Sequence, residues 1–370
     1  ASPSPASDGT NVYVFFAELG LISYTADGQE RWRLPLGPFE SFYGMGGSPV
    51  VSGDTLVLVC DQRRGSFIVA VDTRNGHVRW RKSRNNPVEA FTTPVVHTPA
   101  DGAAQVIVFG SPLLEAYALA DGARLWWVRR VGSYPVGVPA LTGDMVFVSS
   151  QGADEPPIPP FDAALSKFDT NTDGLLQAAE MLENPEIGEH FGWMDRNSNG
   201  STDQDEYDFV RSSMAFGHGL TAVRLRPGTG DVTASHVAWQ IKKHYPYMPA
   251  PLFYDGVLYT VKTGGIVLSV HPGSGDVFKM GRLEGAPGGY VSSPVAGDGK
   301  LFMVSAECKV SVLRAVRQWE LLAVTDLADE CWATPAIASG RIFLRTRRTL
   351  YAFAQKSAKP LGPPVPLPGR

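Results

Sequence analysis

The sequence predicts an all-β fold, a β-propeller of four-stranded blades. A phrase of a small residue, a proline, two or three apolar residues, a glycine or aspartate turn and an apolar strand occurs seven times. Its prolines are Pro5, Pro49, Pro94, Pro139, Pro251, Pro294 and Pro335. Five of the six steps between them are 41 to 45 residues long. Repeats of that length are typical of blades arranged around an axis.

A turn followed by tryptophan is the second observation, and it ends the third strand of the early units. It reads Asp27–Trp32, Asn75–Trp80 and Asp121–Trp126. Asp-Gly and Asn-Gly favour hairpins because both turn positions tolerate positive φ. The tryptophan then begins the outer strand, where its large ring can pack between neighbouring blades. In later units the signature is less regular: Trp239 follows its turn at a greater distance, and Phe278 replaces the tryptophan. We therefore expect a core distributed between blades.

One step of 112 residues interrupts the period and predicts an insertion in the fourth unit. We assign residues 1–150 and 217–355 to the propeller and residues 151–216 to the insertion. Residues 356–370 form a proline-rich tail, which we expect to be extended and mobile.

The number of blades stays open at this point. Seven repeats are visible, but the last unit, Ala333–Gln355, has no fourth strand. Either seven blades close with an incomplete last sheet, or this chain lacks an N-terminal portion that holds the closing strand, with or without an eighth blade. We favour the second alternative, because propellers usually close by combining strands from both ends of the chain.

The turn-plus-tryptophan signature and the Ser-Pro-Val-Val openings resemble the PQQ-like β-propeller repeat proteins. The resemblance covers nearly the whole chain outside the insertion. That superfamily includes quinoprotein alcohol dehydrogenases and the propeller lipoprotein of the bacterial outer-membrane assembly machinery. The resemblance therefore implies the fold more strongly than it implies a function.

Composition excludes several classes of protein. No run of eighteen apolar residues is present, so we expect no membrane span. A net charge of −4 gives no reason to expect a nucleic-acid partner. Three cysteines, Cys60, Cys308 and Cys331, permit at most one disulfide, and we favour buried free thiols.

The insertion contains two segments with the spacing of EF-hand calcium loops, starting at Asp169 and Asp195. Such loops have oxygen-bearing side chains at positions 1, 3 and 5, glycine at position 6 and glutamate at position 12. The predicted ligands of the first loop are Asp169, Asn171, Asp173, Leu175 through its carbonyl, Gln177 and Glu180. Those of the second loop are Asp195, Asn197, Asn199, Ser201 through its carbonyl, Asp203 and Glu206. We predict two Ca²⁺ sites.

Charge supports a cation in the insertion. Residues 161–216 include twelve acidic and three basic residues. Such a cluster repels itself unless a cation neutralises it. Apolar residues at helical spacing flank both loops, with Phe161, Leu165 and Phe168 before the first loop and Tyr207 and Val210 after the second. We favour a structural role for the calcium over a regulatory one.

The loops that enter each first strand form the mouth of the predicted propeller. Their candidate binding residues are Tyr43, Phe91, Tyr134, His244, Tyr245, Tyr247, Tyr290, Glu330 and Trp332, with Glu40, Glu89 and Lys243 among them. These rings could bind a flat or extended ligand, or they could simply fill the channel and pack between blades.

We interpret the chain as a calcium-binding PQQ-like propeller that acts as a binding or scaffold module in the periplasm or outside the cell. No signal peptide is visible. The alternative is an enzyme with its site at the mouth, either a quinoprotein-type oxidoreductase or a hydrolase or lyase. Quinoprotein dehydrogenases hold PQQ beneath adjacent, disulfide-linked cysteines, which this sequence lacks, so PQQ is not expected. A protein partner or a small or extended ligand is expected at the mouth.

Overall fold

Short strands joined by glycine- and aspartate-containing turns form successive antiparallel sheets in the computed structural model, which describes residues 3–84, 88–181, 188 and 191–355. Each of the first three sheets pairs its strands in chain order. Their strands are β1 (Ala6–Ser7), β2 (Asn11–Phe16), β3 (Gly20–Thr25), β4 (Glu30–Leu34), β5 (Val50–Ser52), β6 (Thr55–Cys60), β7 (Phe67–Asp72), β8 (Val78–Ser83), β9 (Val95–His97), β10 (Gln105–Phe109), β11 (Leu113–Ala118) and β12 (Arg124–Arg129).

The second part of the chain contains the insertion and four more large sheets. Its elements are β13 (Ala140–Leu141), β14 (Met145–Ser150), α1 (Phe161–Phe168), β15 (Leu176–Gln177), α2 (Ala178–Met181), α3 (Phe191–Met194), β16 (Ser201–Thr202), α4 (Gln204–Met214), β17 (Gly219–Arg224), β18 (Gly230–Asp231), α5 (Thr233–His236), β19 (Val237–Ile241), β20 (Leu252–Tyr254), β21 (Val257–Lys262), β22 (Ile266–Val270), β23 (Val277–Arg282), β24 (Val295–Gly297), β25 (Lys300–Val304), β26 (Lys309–Arg314), β27 (Glu320–Asp326), β28 (Ala336–Ala338), β29 (Arg341–Arg345) and β30 (Leu350–Ala354).

The sheets are the blades of a propeller, as the repeats predict. In chain order the last four are β13-β14-β17-β19, β20 to β23, β24 to β27 and the three-stranded β28 to β30, while β18 pairs in parallel with β12. The first strands of successive sheets contact one another: β1 with β5, β5 with β9, β13 with β20, β20 with β24, and β24 with β28. They therefore lie nearest the axis. The described residues form seven blades, and the eight-blade alternative stays a prediction.

The apolar core lies between the blades, as expected. Within the described residues, six clusters of buried side chains each join two successive blades, and a seventh lies inside the insertion. Alternate residues of a strand face opposite neighbours. In blade 2, for example, Leu56 and Leu58 face blade 1, whereas Val57 and Val59 face blade 3.

At three interfaces the turn-plus-tryptophan signature fastens one blade to the next. The Trp32 indole N–H of blade 1 donates a hydrogen bond of 3.0 Å to the Thr73 carbonyl of blade 2. Its ring lies against Gly76, where an added Cβ would lie 2.7 Å from the ring. The same two contacts recur for Trp80 with Leu119 and Gly122, and for Trp239 with Pro272 and Gly275. We call this pair of contacts the clasp.

Strand register identifies the clasp position in every complete blade. The pairing of the third and fourth strands shifts by one residue beside it, for instance between Ser23 and Tyr24. The residues at this position in blades 1 to 6 are Trp32, Trp80, Trp126, Trp239, Lys279 and Ala323. Blades 5 and 6 therefore lack the clasp tryptophan.

The cysteine prediction was partly wrong. Cys308 and Cys331 form a disulfide with their Cα atoms 4.8 Å apart, whereas Cys60 is a buried free thiol. Cys308 lies in the turn between β25 and β26, and Cys331 lies in the loop that leads to β28. The loop returns to this turn, since the Cys331 N–H bonds to the Ala306 carbonyl. Sequence spacing does not reveal that return.

None of the helices in the described part of the chain has both the length and the hydropathy of a membrane span. The proline-rich tail, residues 356–370, lies outside the described residues.

The clasp predicts a large cost for Gly122→Ala. An alanine Cβ would lie 2.5 Å from the Trp80 ring, in addition to the strain of a positive φ of 70°. We expect a loss of about 2–5 kcal/mol in the free energy of unfolding, measured by denaturant titration. Gly256→Ala is the control, because Gly256 has a φ of 74° and open space around its Cβ. It should lose about 1–2 kcal/mol. Equal losses in the two variants would mean that the ring contact contributes nothing.

Candidate functional site

The insertion leaves and rejoins blade 4 through two adjacent stems. β14 and β17 pair up to Ser150 with Gly219. Beyond them, the Ala153 N–H bonds to the Met214 carbonyl at 2.9 Å and the Gly217 N–H bonds to the Ala153 carbonyl at 3.1 Å. Gly217 has a φ of 79°, and a side chain there would overlap the Arg130 carbonyl. Glycine is therefore required where this stem passes Arg130, the residue after β12 of blade 3.

The insertion has its own core and a short internal sheet. Phe161, Phe168, Met181 and Tyr207 belong to one buried cluster formed by its helices. β15 and β16 pair antiparallel, with Leu176 opposite Thr202. The two predicted calcium loops therefore lie side by side, each between two helices, and α1 and α4 are the helices that the flanking apolar residues predict.

The first loop is closed by hydrogen bonds from its backbone to its acidic side chains. Asp169 accepts from the N–H groups of Thr172 at 2.7 Å and Gly174 at 3.0 Å. Glu180 accepts from the N–H groups of Thr170 at 2.8 Å and Gln177 at 3.0 Å. These hydrogen bonds keep the pKa of Glu180 below its ordinary value despite the opposing effect of burial.

The second loop repeats this pattern. Asp195 accepts from the N–H groups of Asn199 and Gly200, both at 3.0 Å. Glu206 accepts from the N–H groups of Arg196 at 2.9 Å and Asn197 at 3.1 Å. Asp203 caps α4 through the Glu206 N–H. In both loops, the aspartate at position 1 thus accepts the N–H of the glycine at position 6. The glutamate at position 12 accepts the N–H of the residue at position 2, which closes the loop.

The remaining predicted ligands lie on the same loops. Asn171 and Gln177 both donate to the Asp173 carboxylate, at 3.0 and 2.7 Å. Asn199 accepts from Ser201. Over the described ranges, no three His, Cys, Asp or Glu side chains converge closely enough to form a metal-binding group.

Four of the predicted mouth residues come together. The Tyr43 ring lies 5.9 Å from Phe91, and Phe91 donates its N–H to the Pro135 carbonyl next to Tyr134. The Tyr247 hydroxyl lies 3.4 Å from the Tyr134 carbonyl. Burial raises the pKa of Tyr247 to about 12. With Phe42, 4.8 Å from Tyr43, these residues form what we call the mouth cluster.

The insertion packs directly on the mouth cluster. Trp193 of α3 stacks on Tyr134 with the ring centroids 5.5 Å apart. The carbonyl of Arg196, the second residue of the second loop, accepts from the Arg64 guanidinium at 3.2 Å. The second loop is therefore adjacent to the mouth, and the helix that leads into it forms part of the wall.

A narrow cleft of about 20 Å³ lies where the insertion meets the mouth. That volume holds about one water molecule. Its lining includes Phe42, Arg63, Glu89, Trp193 and Arg196. Glu89 is buried and accepts the Phe42 N–H at 2.8 Å. Burial and the nearby Arg63 lower the pKa of Arg196.

The other predicted mouth residues lie elsewhere. Tyr290 is 2% exposed and packs between blades 5 and 6, with its hydroxyl bonded to the Ala286 carbonyl at 2.9 Å. Tyr245 packs against the core between blades 4 and 5. Glu330 pairs with Arg347 at 3.2 Å, and Trp332 is 64% exposed. His244 and Lys243 are exposed, and Glu40 lies 3.9 Å from Arg64.

Sequence reasoning missed Phe42 and Trp193. Phe42 is next to the predicted Tyr43, so the two adjacent aromatic residues could have indicated that Phe42 also belongs to the mouth. Trp193 lies inside the insertion, in the short helix α3, whose residues Phe191 and Met194 face the insertion core. A large aromatic residue on the opposite side of so short a helix indicates an external contact.

The first part of the chain matches a known family. Residues 3–173 match the family model described as outer membrane protein assembly factor BamB. These residues resemble that family. The matched part comprises blades 1 to 3 and the start of blade 4, up to the first loop of the insertion. No curated protein matches the sequence significantly.

Solved structures share the fold across almost the whole chain. BamB from Moraxella catarrhalis is 13% identical, with a TM-score of 0.56, over 92% of this chain and 80% of that one. A europium-containing methanol dehydrogenase is 10% identical, with a TM-score of 0.56, over 96% and 76%. The computationally designed Ika8 protein is 10% identical, with a TM-score of 0.58, over 95% and 83%. At these identities the likeness establishes the propeller fold alone.

The contact between the insertion and the mouth can be measured by a double-mutant cycle of Trp193→Ala and Tyr134→Ala. Stacked aromatic rings contribute about 0.5–1.5 kcal/mol beyond the area they bury, so we expect a coupling free energy in that range from denaturant unfolding. The control cycle pairs Trp332→Ala with Tyr134→Ala and should show no coupling. Zero coupling in both cycles would mean that the stack does not hold the insertion on the mouth.

Proposed function

We propose that this protein is a calcium-binding module outside the cytoplasm that binds an extended segment of a protein partner at the mouth cluster. The observation that supports the proposal most directly is that exposed rings meet the insertion at one place. Phe42 and Tyr43 are 55% and 54% exposed, whereas Tyr134 lies beneath Trp193. Exposed aromatic rings beside a polar rim are typical of protein-binding surfaces.

The chemistry of the rim suggests what the partner presents. Arg63, Arg64 and Arg196 lie together where the insertion meets the mouth, with Glu40 and Glu89 as the nearby acids. Guanidinium groups bind carboxylates in a bidentate manner. A partner segment with an apolar or aromatic side chain next to an acidic residue would match both the rings and the arginines.

Two Ca²⁺ ions are part of the proposal because the donor set suits a hard cation. Each loop offers carboxylate, amide and carbonyl oxygens at EF-hand spacing, with Gly174 and Gly200 at position 6 in positive φ. Glu180 and Glu206, at position 12, already point back to the start of their own loops, where they accept backbone N–H groups. Calcium would also neutralise the excess acidic charge of the insertion.

Location outside the cytoplasm is proposed on two grounds. The N-terminal part matches a family that is named for outer membrane assembly. The disulfide between Cys308 and Cys331 is also typical of oxidising compartments. The BamB resemblance favours a protein partner over a small substrate, which is why we prefer a binding module to the enzyme reading.

Calcium stoichiometry tests the metal sites. Protein stripped with EDTA and titrated with Ca²⁺ should bind two ions by native mass spectrometry. Glu180→Gln and Glu206→Gln should each bind one ion under conditions that saturate the parent, because each removes the closing ligand of one loop. EDTA should also lower the melting temperature of the parent protein.

Asp162→Asn is the matched control, since Asp162 is an exposed acid of the same insertion outside both loops. It removes the same charge and should leave two ions bound. No bound calcium in the parent, or two ions in each glutamine variant, would refute the assignment. The same titration with added PQQ tests the enzyme alternative, because a stoichiometric quinone adduct would favour it.

Site-specific photocrosslinking tests the partner site. A benzoylphenylalanine in place of Tyr43 should form a protein adduct in cells of the source organism, which mass spectrometry then identifies. The same probe in place of Trp332 is the control, because Trp332 is at least as exposed but lies outside the mouth cluster. Equal adducts at the two positions, or none at Tyr43, would count against partner binding at the mouth.

A further inference from the structure

A cavity of about 290 Å³ lies beside the stems of the insertion. Arg129 and Arg130 line it from the end of β12 in blade 3, and Lys242 lines it from the residue after β19 in blade 4. Asp154 and His218 line it from the two stems. Its described lining shares no residue with the narrow cleft at the mouth, so the two are separate sites. We call this one the stem cavity.

Positive charge exceeds negative charge around the stem cavity. The described lining includes three basic side chains, those of Arg129, Arg130 and Lys242, and one acid, Asp154. A second acid, Asp231, lies outside the lining and accepts the Arg129 Nε–H at 2.5 Å. Three basic groups thus face two acids even when the histidine of the lining is neutral. A concave surface with an excess of one sign of charge attracts ions of the opposite sign.

The basic side chains keep hydrogen-bond donors for a ligand. Lys242 donates to both carboxylate oxygens of Asp154, at 2.6 and 2.7 Å, and an ammonium group has a third N–H. Arg130 donates from Nη2 to the Asp154 carbonyl at 3.0 Å, and the Arg129 guanidinium donates through Nε. Since a guanidinium has five N–H groups, most donors of both arginines bond to no other residue that the structure describes.

The acid in the lining has an alternative partner. Asp154 and Lys242 form an ion pair at the surface, with side chains 53% and 44% exposed, and such pairs contribute little to stability. His218 Nδ1 lies 4.0 Å from the Asp154 carboxylate, and this buried nitrogen has no hydrogen-bond partner among the described residues. A buried polar atom without a partner is unfavourable. Asp154 can therefore turn to His218 when Lys242 binds an anion, so a carboxylate in the lining does not exclude one.

We propose that the stem cavity binds a small monoester through its phosphate or sulfate group, held between Arg129, Arg130 and Lys242. One guanidinium is enough to bind a planar carboxylate through two parallel N–H groups. Cationic groups from two blades instead suit a tetrahedral group, whose oxygens point in several directions. The cavity is close in volume to the smallest ligand pockets, which start at about 300 Å³, so the rest of the ester is small.

A bound ester would also connect blades 3 and 4 at the base of the insertion. The two stems are joined there by backbone hydrogen bonds of Ala153 with Met214 and of Gly217 with Ala153. Arg130 reaches the outgoing stem through the Asp154 carbonyl, one residue further along the chain. Binding between these groups should therefore make the opening of the stems less frequent.

Three ligands that share a phenyl ring test the chemistry of the site. Phenyl phosphate, phenyl sulfate or both should bind the full chain one to one by isothermal titration calorimetry, and the tighter of them identifies the class of ester. Benzoate, a planar carboxylate, should bind at least about tenfold more weakly, the effect of losing one charge-assisted hydrogen bond. Benzoate binding as tight as that of the esters, or no binding of either ester, would overturn the proposal.

Single substitutions test where the ester binds. Arg130→Gln and Lys242→Gln should each weaken binding about tenfold, because each removes a charge-assisted hydrogen bond. Asp154→Asn should strengthen it, because the change releases Lys242 and removes a like charge. Arg224→Gln is the control, since Arg224 is exposed at the end of β17 that lies away from the stems, and it should leave the affinity unchanged. Equal weakening by Arg224→Gln, or none by Arg130→Gln, would mean that the ester binds elsewhere.

Hydrogen exchange gives a measurement that needs no variant. The tighter ester should slow the exchange of the Ala153 and Gly217 amides, which join the stems. Unchanged exchange at both amides, under conditions in which calorimetry shows saturation, would refute binding in the stem cavity. Arg130→Gln keeps every predicted calcium ligand, so its weaker binding would also distinguish this site from an ester bound to calcium in the loops. The proposal is independent of the calcium sites and of the mouth cluster.

Discussion

Contact between the clasp tryptophan of one blade and the turn glycine of the next determines how the sheets are joined at three of the interfaces. A four-stranded blade has two apolar faces and cannot bury either of them alone, so the fold exists only through blade-to-blade packing. The clasp sets the position of that packing, because the Trp32 N–H reaches one carbonyl and its ring needs a glycine beneath it. Trp32 and the glycine of the next repeat, Gly76, therefore form a structural pair 44 residues apart.

How far the sequence predicts this structure depends on how local each feature is. The repeat period, the turn residues and the apolar strands are local sequence patterns. They were therefore enough to predict the blades and to place Trp32 in an outer strand. Whether an individual mouth aromatic is exposed or buried did not follow from local patterns. Tyr43 and Tyr290 occupy corresponding loops, but the Tyr43 ring faces solvent and the Tyr290 ring packs between blades. That choice depends on the backbone path of each loop. Contact between Trp193 and Tyr134 joins residues with no shared pattern, and it was not predictable.

Interruption of the repeat has different consequences at the two affected interfaces. Lys279 and Ala323 both replace a tryptophan, and both replacements are visible in the sequence once the register is known. Trp319 compensates for the first from the neighbouring blade. Ala323, by contrast, is exposed.

The two adjacent stems of the insertion matter for the history of such a chain. Ala153 and Gly217 are joined by a backbone hydrogen bond, so the insertion starts and ends at almost the same point in space. A segment with that geometry can be lost or acquired in one genetic event, because a tight turn between β14 and β17 would restore an ordinary hairpin. The segment between β14 and β17 of blade 4 could therefore be replaced by another in a related propeller, while the other blades keep their structure.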